Sequence, residues 1–234
     1  CAAAYPNYKR LKDLARTYNA SFLFETNVGA GLPIIDTLKN LVASGDEIKE
    51  IQAVLSGSLN FVFNHFNDQT TFHDVVKQAQ EEGYTEPDPT IDLSGIDVMR
   101  KILILARESG HVMEINDIEN NSFLPSESLE TSSNEAFFDS LIKYESDFQT
   151  MYQKAYAKGA KLKYVASFKD GKASVGLQEI PQGHDFYALE GSDNIVLFYT
   201  ERYPNQPMII KGAGAGAAVT ASGIFADIIR VGNF

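Results

Sequence analysis

The sequence predicts an α+β domain in which helices cover one mixed or antiparallel β-sheet. The first observation is the helical spacing of apolar residues in several segments before residue 160. The second is a set of short segments, most of them after residue 160, that are either apolar throughout or alternate between apolar and polar residues. Turn residues separate these segments. Such helices and strands bury their apolar sides against each other, so we expect helices packed on a sheet.

The N-terminal elements are expected to belong to a different sheet. Apolar residues share one face of a predicted helix over residues 8–17, and residues 21–24 are expected to form a short buried strand. Both are typical of the end of an α/β sheet. Because the chain opens at Cys1 without an initiator methionine or a signal sequence, we expect a cut made within a longer protein.

The central part of the chain alternates predicted elements with turn residues. We expect a helix over 34–43 with Pro33 in its first turn, a strand over 47–55, and helices over 59–66 and 72–80. Ser56-Gly57-Ser58 forms a turn that can cap the helix after it. The two prolines of Tyr84-Thr85-Glu86-Pro87-Asp88-Pro89 exclude this segment from helix interiors and central strands, so it is a loop.

The next segments include a buried helix and most of the strands. Residues 93–107 are apolar almost all round, which predicts a buried helix, and residues 134–160 form a long helical region. Lys169-Asp170-Gly171-Lys172 predicts a hairpin turn between strands 164–168 and 173–180. Strands over 195–202 and 208–211 precede a Gly/Ala segment and a C-terminal helix, and Asn120-Asn121-Ser122 is expected in a loop.

The composition excludes several classes of function. The net charge of -11 and a pI of about 4.8 argue against nucleic acid and membrane partners, which select basic surfaces. Residues 208–229 hold glycines and two charges, so they do not form a membrane span. Because Cys1 is the single cysteine, no internal disulfide and no multi-thiolate metal site is expected, and a cytoplasmic location is predicted.

The strongest candidate site lies between Gly83 and Lys101. Asp97 and Lys101 are four residues apart on one helix face, directly after a rigid loop that carries Glu86, so the three side chains could converge on one small molecule. The alternative is an exposed i,i+4 salt bridge beside an acidic surface turn. The apolar surroundings disfavour that alternative, since buried charges are costly unless they are paired or used. Both interpretations stay open from position alone.

Two glycine-rich segments, Gly29-Ala30-Gly31 and Gly212 to Gly216, could bring backbone amides close to a phosphate or a flat ring. Neither forms the G-x-G-x-x-G turn of a dinucleotide fold, and composition alone favours close packing at a strand-to-helix corner. Ser56-Gly57-Ser58 is more typical of a helix cap than of a nucleophile. The four histidines are scattered without metal-ligand spacing.

Five blocks of sequence carry a family resemblance. They are Glu25-Thr26-Asn27-Val28-Gly29-Ala30-Gly31-Leu32-Pro33-Ile34-Ile35, Leu55-Ser56-Gly57-Ser58-Leu59-Asn60, Gly83-Tyr84-Thr85-Glu86-Pro87-Asp88-Pro89, Asp92-Leu93-Ser94-Gly95-Ile96-Asp97-Val98-Met99-Arg100-Lys101 and Gly212-Ala213-Gly214-Ala215-Gly216. In this order, and over essentially the whole chain, they resemble homoserine dehydrogenase. The sequences of these blocks are particularly similar to the dehydrogenase part of bifunctional aspartokinase/homoserine dehydrogenases, so a fused aspartokinase domain is a possible partner in the longer protein.

The resemblance implies an NAD(P)-dependent interconversion of L-homoserine and L-aspartate 4-semialdehyde, on the route to threonine and methionine. It implies that Lys101 takes the hydroxyl proton as hydride leaves, which is the task of a general base. It implies that Glu86, Asp97 and Asp92 bind the substrate. The family often has Arg-Asp-Asp where this chain has Thr90-Ile91-Asp92, so one acidic position is lost.

The resemblance also implies binding sites for cofactor and ion. Gly83 and Gly216 would lie against the cofactor, and oxygen atoms would hold a monovalent cation, Na⁺ or K⁺. The positions that match the cation ligands of the family are Glu25, Val28, Ala30 and Leu32.

Three regions and a homodimer follow from the resemblance. Residues 1–26 would be a remnant of a Rossmann-type nucleotide-binding domain, 27–211 the substrate-binding and dimerisation domain, and 212–234 a Gly-rich loop and helix that return to the nucleotide-binding domain. Without that domain the isolated chain is expected to be inactive. The alternative is a non-catalytic amino-acid-binding or dimerisation module, in which Lys101 has no chemical role.

Overall fold

The structure, a computed structural model, describes residues 2–232; Cys1, Asn233 and Phe234, which the predictions for 1–26 and 212–234 include, lie outside the described residues. The helices are α1 (Tyr8–Thr17), α2 (Thr26–Gly29), α3 (Ile34–Ala43), α4 (Gly57–His65), α5 (Phe72–Glu81), α6 (Pro89–Leu93), α7 (Ile96–Glu108), α8 (Ser126–Leu129), α9 (Asn134–Lys143), α10 (Glu145–Ala157) and α11 (Ala217–Gly232). Short 3₁₀ helices cover Ala2–Ala4 and Ile115–Asp117. The strands are β1 (Ile48–Val54), β2 (Ile118–Asn121), β3 (Lys161–Lys169), β4 (Lys172–Ile180), β5 (Asp193–Thr200) and β6 (Met208–Ala213).

The described strands form one six-stranded sheet in the order β2-β4-β3-β1-β5-β6. Strand β2 runs parallel to β4, whereas the other neighbours are antiparallel, so the sheet is mixed. Ala53 of β1 lies between Ala166 of β3 and Val196 of β5. The α+β class and the mixed sheet predicted from the sequence are therefore confirmed.

The two faces of the sheet are covered differently. Because side chains alternate along a strand, Val196 and Phe198 contribute to the large core under the helices, whereas Ile195 and Leu197 point to the other face. That other face is covered by the segment between β4 and β5, residues 181–192, whose Phe186 and Leu189 side chains are fully buried. Both faces are thus shielded near the middle of the sheet.

The C-terminal end of α7 anchors the first residues of the described chain. The buried guanidinium of Arg107 donates to the carbonyl oxygens of Ala3 and Tyr5 at 2.8 and 3.0 Å. The neighbouring carboxylate of Glu108 accepts hydrogen bonds from Tyr8 and Lys12 of α1. These charge-assisted bonds compensate for the cost of burying two ions.

Most predicted helices and the hairpin are confirmed, in several cases to the residue. The helix predicted over 8–17 is α1, and that over 34–43 is α3. Asp170 and Gly171 adopt φ values of 51° and 74° in the β3–β4 turn, as a two-residue hairpin requires. The Ser56 side chain accepts a hydrogen bond from the Leu59 amide and caps α4, as predicted.

Two predictions of secondary structure are wrong. Residues 21–24 form no strand, because an extended segment needs a neighbouring strand for its backbone groups and none of the described strands pairs with it. The helical region predicted over 134–160 is confirmed as two helices, α9 and α10, that meet at Tyr144. Asn120 and Asn121 lie in β2, where parallel pairing with β4 overrides their preference for turns. A short helix not predicted, α6, begins where Asp88 accepts from the Thr90 amide.

Gly95 sets the start of α7. It adopts φ +76°, and a Cβ atom at this position would overlap the buried hydroxyl group of Tyr164. That hydroxyl donates to Asn120 Oδ1 at 3.2 Å. Both the backbone conformation and the close approach to β3 therefore require glycine, and both fix where α7 begins.

We expect Gly95→Ala to lower the free energy of unfolding by about 2 to 4 kcal/mol, because left-handed strain and overlap with Tyr164 add together. Gly110→Ala is the matched control, since Gly110 follows the other end of α7 at φ +92° and no heavy atom lies within 4 Å of the place where its Cβ would be. The control should cost about 1 to 2 kcal/mol, from strain alone. Urea unfolding measures both, and equal losses would contradict the overlap.

Lys163 of β3 is a fully buried charged side chain. Burial and the nearby Lys161 lower its pKa to about 8, Glu190 acts in the opposite direction, and Lys211 lowers the pKa further. The unfolded chain retains an ordinary lysine pKa near 10.5. Between these two pH values the unfolded state therefore binds more protons than the folded state, so this residue makes stability rise with pH.

Relative to Lys163→Met, the wild-type chain should gain up to about 1.4 kcal/mol of unfolding free energy per pH unit above pH 8. Below the lower pKa both states are protonated and the difference between the two proteins should be constant. Urea unfolding at pH 7 and pH 9.5 tests this, with the exposed Lys172→Met as control, which should follow the wild type. Parallel pH dependences for wild type and Lys163→Met would refute it.

Candidate active site

The end of β1, the start of α4, the Glu-Pro-Asp-Pro loop and the first two turns of α7 meet at one junction. Lys101 Nζ donates to the carbonyl oxygen of Leu55, which directly follows β1, at 2.7 Å. Ser58 in the first turn of α4 donates to Asp92 Oδ1 at 3.0 Å. These two bonds join the segment from the end of β1 to the start of α4 with the segment formed by α6 and α7.

Lys101 and Asp97 form an ion pair at this junction. The distance from Lys101 Nζ to Asp97 Oδ2 is 2.8 Å, and the lysine side chain is 17% exposed against 56% for the aspartate. The predicted shared helix face is confirmed. The amine is not turned into solvent, and Leu55 and Asp97 use two of the three N–H groups of an ammonium. One direction at Nζ is left for another group.

Asp92 connects the loop to α4. Its Oδ2 accepts a hydrogen bond from the Glu86 amide at 2.8 Å, and its Oδ1 accepts from Ser58. The hydroxyl groups of Ser58 and Ser56 are 3.0 Å apart, and both residues are buried. The carboxylate of Asp92 therefore holds the backbone of the loop and the cap of α4 in one arrangement, in addition to any contact with substrate.

Glu86 lies on the loop with an exposed side chain. Its carboxylate makes no hydrogen bond or ion pair with any of residues 2–232. The loop is held by its backbone: the Pro87 carbonyl accepts from the side chains of Gln80 and Asn134 at 2.9 and 2.7 Å. The rings of Tyr84 and Phe61 stack at 4.2 Å. Convergence of Glu86 with Asp97 and Lys101 on one ligand stays a prediction.

The second glycine-rich segment reaches the same junction through Asn194. This asparagine, 1% exposed, lies in β5 and directs its amide nitrogen towards the Leu55 carbonyl at 3.5 Å. A side chain at Gly214 would overlap it, so the segment packs with its bare backbone on Asn194. The Asn194 Oδ1 atom is buried and has no hydrogen-bond partner within residues 2–232.

Gly83 and Gly216 were predicted to lie against a nicotinamide cofactor. Both adopt positive φ, +77° and +115°, and the space beside them is open: no heavy atom lies within 4 Å of a Cβ position at Gly83, and only Val219 Cγ2, at 3.7 Å, approaches that of Gly216. Open space beside bare backbone suits the approach of a flat ring. The residues present therefore fit the cofactor.

The predicted cation loop is a tight turn between α2 and α3. The buried Glu25 carboxylate accepts from the amides of Ile35 and Asp36 at 2.7 and 2.8 Å and so caps α3, while burial raises its pKa. Ala30 adopts φ +52° and ψ −115°, a strained conformation for alanine. Its carbonyl oxygen accepts no hydrogen bond from residues 2–232. The Leu32 carbonyl accepts one from the Ile34 amide at 2.8 Å.

A carbonyl oxygen without a partner in a strained turn suits a hard monovalent cation. Val28, also a predicted ligand, is buried in α2, two residues before Ala30. Within residues 2–232 no cluster of three or more His, Cys, Asp or Glu side chains could hold a metal ion. Any ion here would be held by backbone oxygen.

Sequence reasoning missed two contributors to the junction. Ser58 was predicted only as part of a helix cap. The signal that could have identified its role was its position two residues after Ser56. Asn194 carried no signal, since its approach to Leu55 joins residues 139 positions apart.

None of the helices formed by residues 2–232 combines the length and apolarity that a membrane crossing requires.

Comparison with known proteins identifies a family. The family model described as homoserine dehydrogenase matches residues 33–229. The chain is 43% identical over 229 residues to bifunctional aspartokinase/homoserine dehydrogenase 2 of Zea mays, covering 97% of this chain and 25% of that protein. It is 40% identical over 233 residues to homoserine dehydrogenase of Schizosaccharomyces pombe, covering 96% and 62%.

Solved structures agree with the sequence matches. A Candida auris protein of unknown function superposes with a TM-score of 0.84 at 44% identity, covering 89% of this chain and 60% of that one. A hyperthermophilic archaeal homoserine dehydrogenase in complex with NADPH has a TM-score of 0.74 at 29% identity, covering 99% and 61%. The chain thus spans a quarter to about three fifths of these relatives. With a family match over most of its length and the same fold, this chain belongs to the homoserine dehydrogenase family.

Proposed function

We propose that this chain carries the substrate-binding and proton-transfer residues of an NAD(P)-dependent homoserine dehydrogenase, which interconverts L-homoserine and L-aspartate 4-semialdehyde. The observation that carries the proposal is the Lys101 amine, fixed between Asp97 and the Leu55 carbonyl with one direction free. The chain would act within a longer polypeptide that contains a nucleotide-binding domain, and would be inactive without it. In bifunctional members an aspartokinase domain would be fused to it.

Oxidation of the alcohol removes a hydride from carbon and a proton from the hydroxyl oxygen. Acceptance of that hydride is the chemistry that NAD(P) would supply if it were held beside Gly83 and Gly216. For this step Lys101 first releases one proton to solvent; its amine then accepts the hydroxyl proton, and the ammonium that forms again is stabilised by Asp97 and by the Leu55 carbonyl. In the reverse direction the same ammonium returns the proton to the carbonyl oxygen of the semialdehyde.

Recognition of the amino-acid part of the substrate requires negative charge near its ammonium group. Glu86 offers an exposed carboxylate without a protein partner among residues 2–232, and Asp97 is more than half exposed. Asp92 supplies a third carboxylate, which also orders the Glu86 loop. We propose that these three acids bind and orient the substrate beside Lys101.

The cofactor would lie beside Gly83 and Gly216, where the backbone is bare. The cation would bind the carbonyl turn formed by Glu25, Val28, Ala30 and Leu32. This turn packs on α11, because a Cβ at Gly223 would lie 3.0 Å from the Ala30 oxygen. An ion in the turn would therefore stabilise the attachment of α11 to α2 and α3.

The nucleotide-binding domain would cover the apolar side of α11. Ile224, Phe225, Ile228 and Ile229 are 46 to 62% exposed, and Gly223 is the one buried residue among residues 217–232. A groove of about 420 Å³ lies between α11 and residues 21–27. An exposed apolar helix beside such a groove is typical of a surface that another domain covers. This supports the assignment of 1–26 and 212–234 to that domain.

Lys101→Met should reduce kcat for homoserine oxidation by about 10²- to 10⁴-fold in the polypeptide that includes the nucleotide-binding domain, because the proton acceptor is lost. Arg100→Met is the matched control, one residue away on the exposed side of α7, and should retain kcat. Rates of NADP reduction with homoserine give the result. Unchanged activity of Lys101→Met would favour the alternative, a non-catalytic amino-acid-binding or dimerisation module.

We further propose a homodimer formed through the sheet of this domain. Edge strand β6 has no second neighbour among the described strands and exposes Ile209 by 44%. Light scattering after size exclusion should then give a mass near twice the 25.8 kDa of this chain. A monomer at high concentration would contradict the proposal. The cytoplasmic location stays a prediction.

A further inference from the structure

The Lys163 ammonium lies at the centre of a buried polar cluster outside the proton-transfer junction. Its Nζ donates to Asn60 Oδ1 at 2.8 Å, to Asn64 Oδ1 at 2.6 Å and to the Leu189 carbonyl at 2.6 Å. All three N–H groups are therefore used, and no carboxylate lies within ion-pair distance among residues 2–232. Replacing such an ammonium leaves buried acceptors without a donor.

The three acceptors belong to two different parts of the fold. Asn60 and Asn64 lie on α4, one turn apart, whereas Leu189 belongs to the 181–192 segment that covers the sheet. The asparagines extend the network with their amide groups. Asn60 Nδ2 donates to the carbonyls of Gly191 at 3.0 Å and Asp193 at 3.3 Å, and Asn64 Nδ2 donates to Gly191 at 3.1 Å.

This network ends at the residues that form the junction. Gly57, the first residue of α4, packs so closely on the chain that a Cβ would lie 3.0 Å from the Ser192 carbonyl. Leu55, which accepts the bond from Lys101, precedes Gly57 by two residues, and Ser58 follows it. Asn194, which approaches Leu55, directly follows Asp193. The carbonyls bound by the cluster, those of Leu189, Gly191 and Asp193, thus lie in the segment that leads directly to Asn194.

We propose that Lys163 is a positioning residue for the dehydrogenase reaction: through Asn60, Asn64 and Leu189 it fixes the start of α4 against the start of β5. That arrangement holds the Leu55 carbonyl and the Ser58 hydroxyl in place to orient Lys101 and Asp92. The inference rests on the proposed function. It goes beyond it by assigning a role in turnover to a buried lysine that cannot touch the substrate.

The three hydrogen-bond acceptors of the Lys163 amine are all neutral, and the charged groups nearby do not bind it directly. Lys161 and Lys211 disfavour the charged form of Lys163, and Glu190 favours it. A neutral amine has two N–H donors instead of three, so one of the three acceptors would lose its bond. Since the cluster has no spare donor, each acceptor contributes to holding α4.

Lys163→Met in the polypeptide with its nucleotide-binding domain should lower kcat/KM for homoserine by about 10- to 100-fold, mainly through kcat, because misplacement of a proton acceptor by about 1 Å is enough for such a loss. The measurement is made well below the melting temperature, with the folded fraction checked by circular dichroism. Lys172→Met, an exposed lysine on β4, is the control and should retain both constants.

A pair of substitutions at the half-buried Asn64 decides the case even where Lys163→Met does not fold. Both variants lose the amide donor to Gly191, but Asn64→Asp keeps an oxygen acceptor for Lys163 and should retain kcat within about threefold, whereas Asn64→Leu also removes the acceptor and should lose kcat about tenfold, on the same positional argument. A purely structural role would change melting temperatures without separating the two variants in kcat.

Equal kcat for Asn64→Asp and Asn64→Leu, or wild-type kcat in a folded Lys163→Met, would overturn the positioning role while leaving the proposed function intact. A wild-type protein without homoserine oxidation, in contrast, would overturn the proposed function itself and this inference with it. A loss of kcat in Asn64→Leu but not in Asn64→Asp supports the inference.

Discussion

The proposed chemistry depends on one hydrogen bond, from the amine of Lys101 to the carbonyl oxygen of Leu55. Leu55 directly follows β1, a central strand that pairs with β3 and β5, so the position of the amine is tied to the middle of the sheet. Asp97, four residues away on the same helix, supplies the charge that an enclosed ammonium requires. Without the carbonyl, the same pair would be an ordinary surface ion pair of little energetic value.

The surrounding polar groups extend this constraint in two directions. Asp92 joins the cap of α4 to the backbone of the loop that carries Glu86, so the backbone of that loop is held relative to α4. On the other side, Asn194 and the bare backbone at Gly214 bring the C-terminal glycine-rich segment to the same carbonyl. The surfaces proposed to bind substrate and cofactor therefore meet at the end of one strand.

Local signals accounted for much of the fold. The bounds of α1 and α3, the cap at Ser56 and the Asp170-Gly171 hairpin each depend on residues close together in the chain, where spacing and turn chemistry act directly. The wrong predictions have a common cause. Asn120 and Asn121 have a strand to pair with, β4, whereas residues 21–24 have none among the described strands. The local sequence of either segment does not contain that information.

The candidate site shows the same contrast between what the sequence determined and what the tertiary structure determined. By itself the sequence determined that Asp97 and Lys101 share a helix face, that Glu86 lies on a rigid loop before that helix, and that five ordered motifs resemble one family. Tertiary structure alone decided that Lys101 meets Leu55, that Asp92 meets Ser58 and that Lys163 is enclosed by amides. These contacts join residues 46, 34 and 103 positions apart. Helical periodicity fixes neighbours within a few turns, whereas contacts at such separations arise only when the sheet and helices pack together.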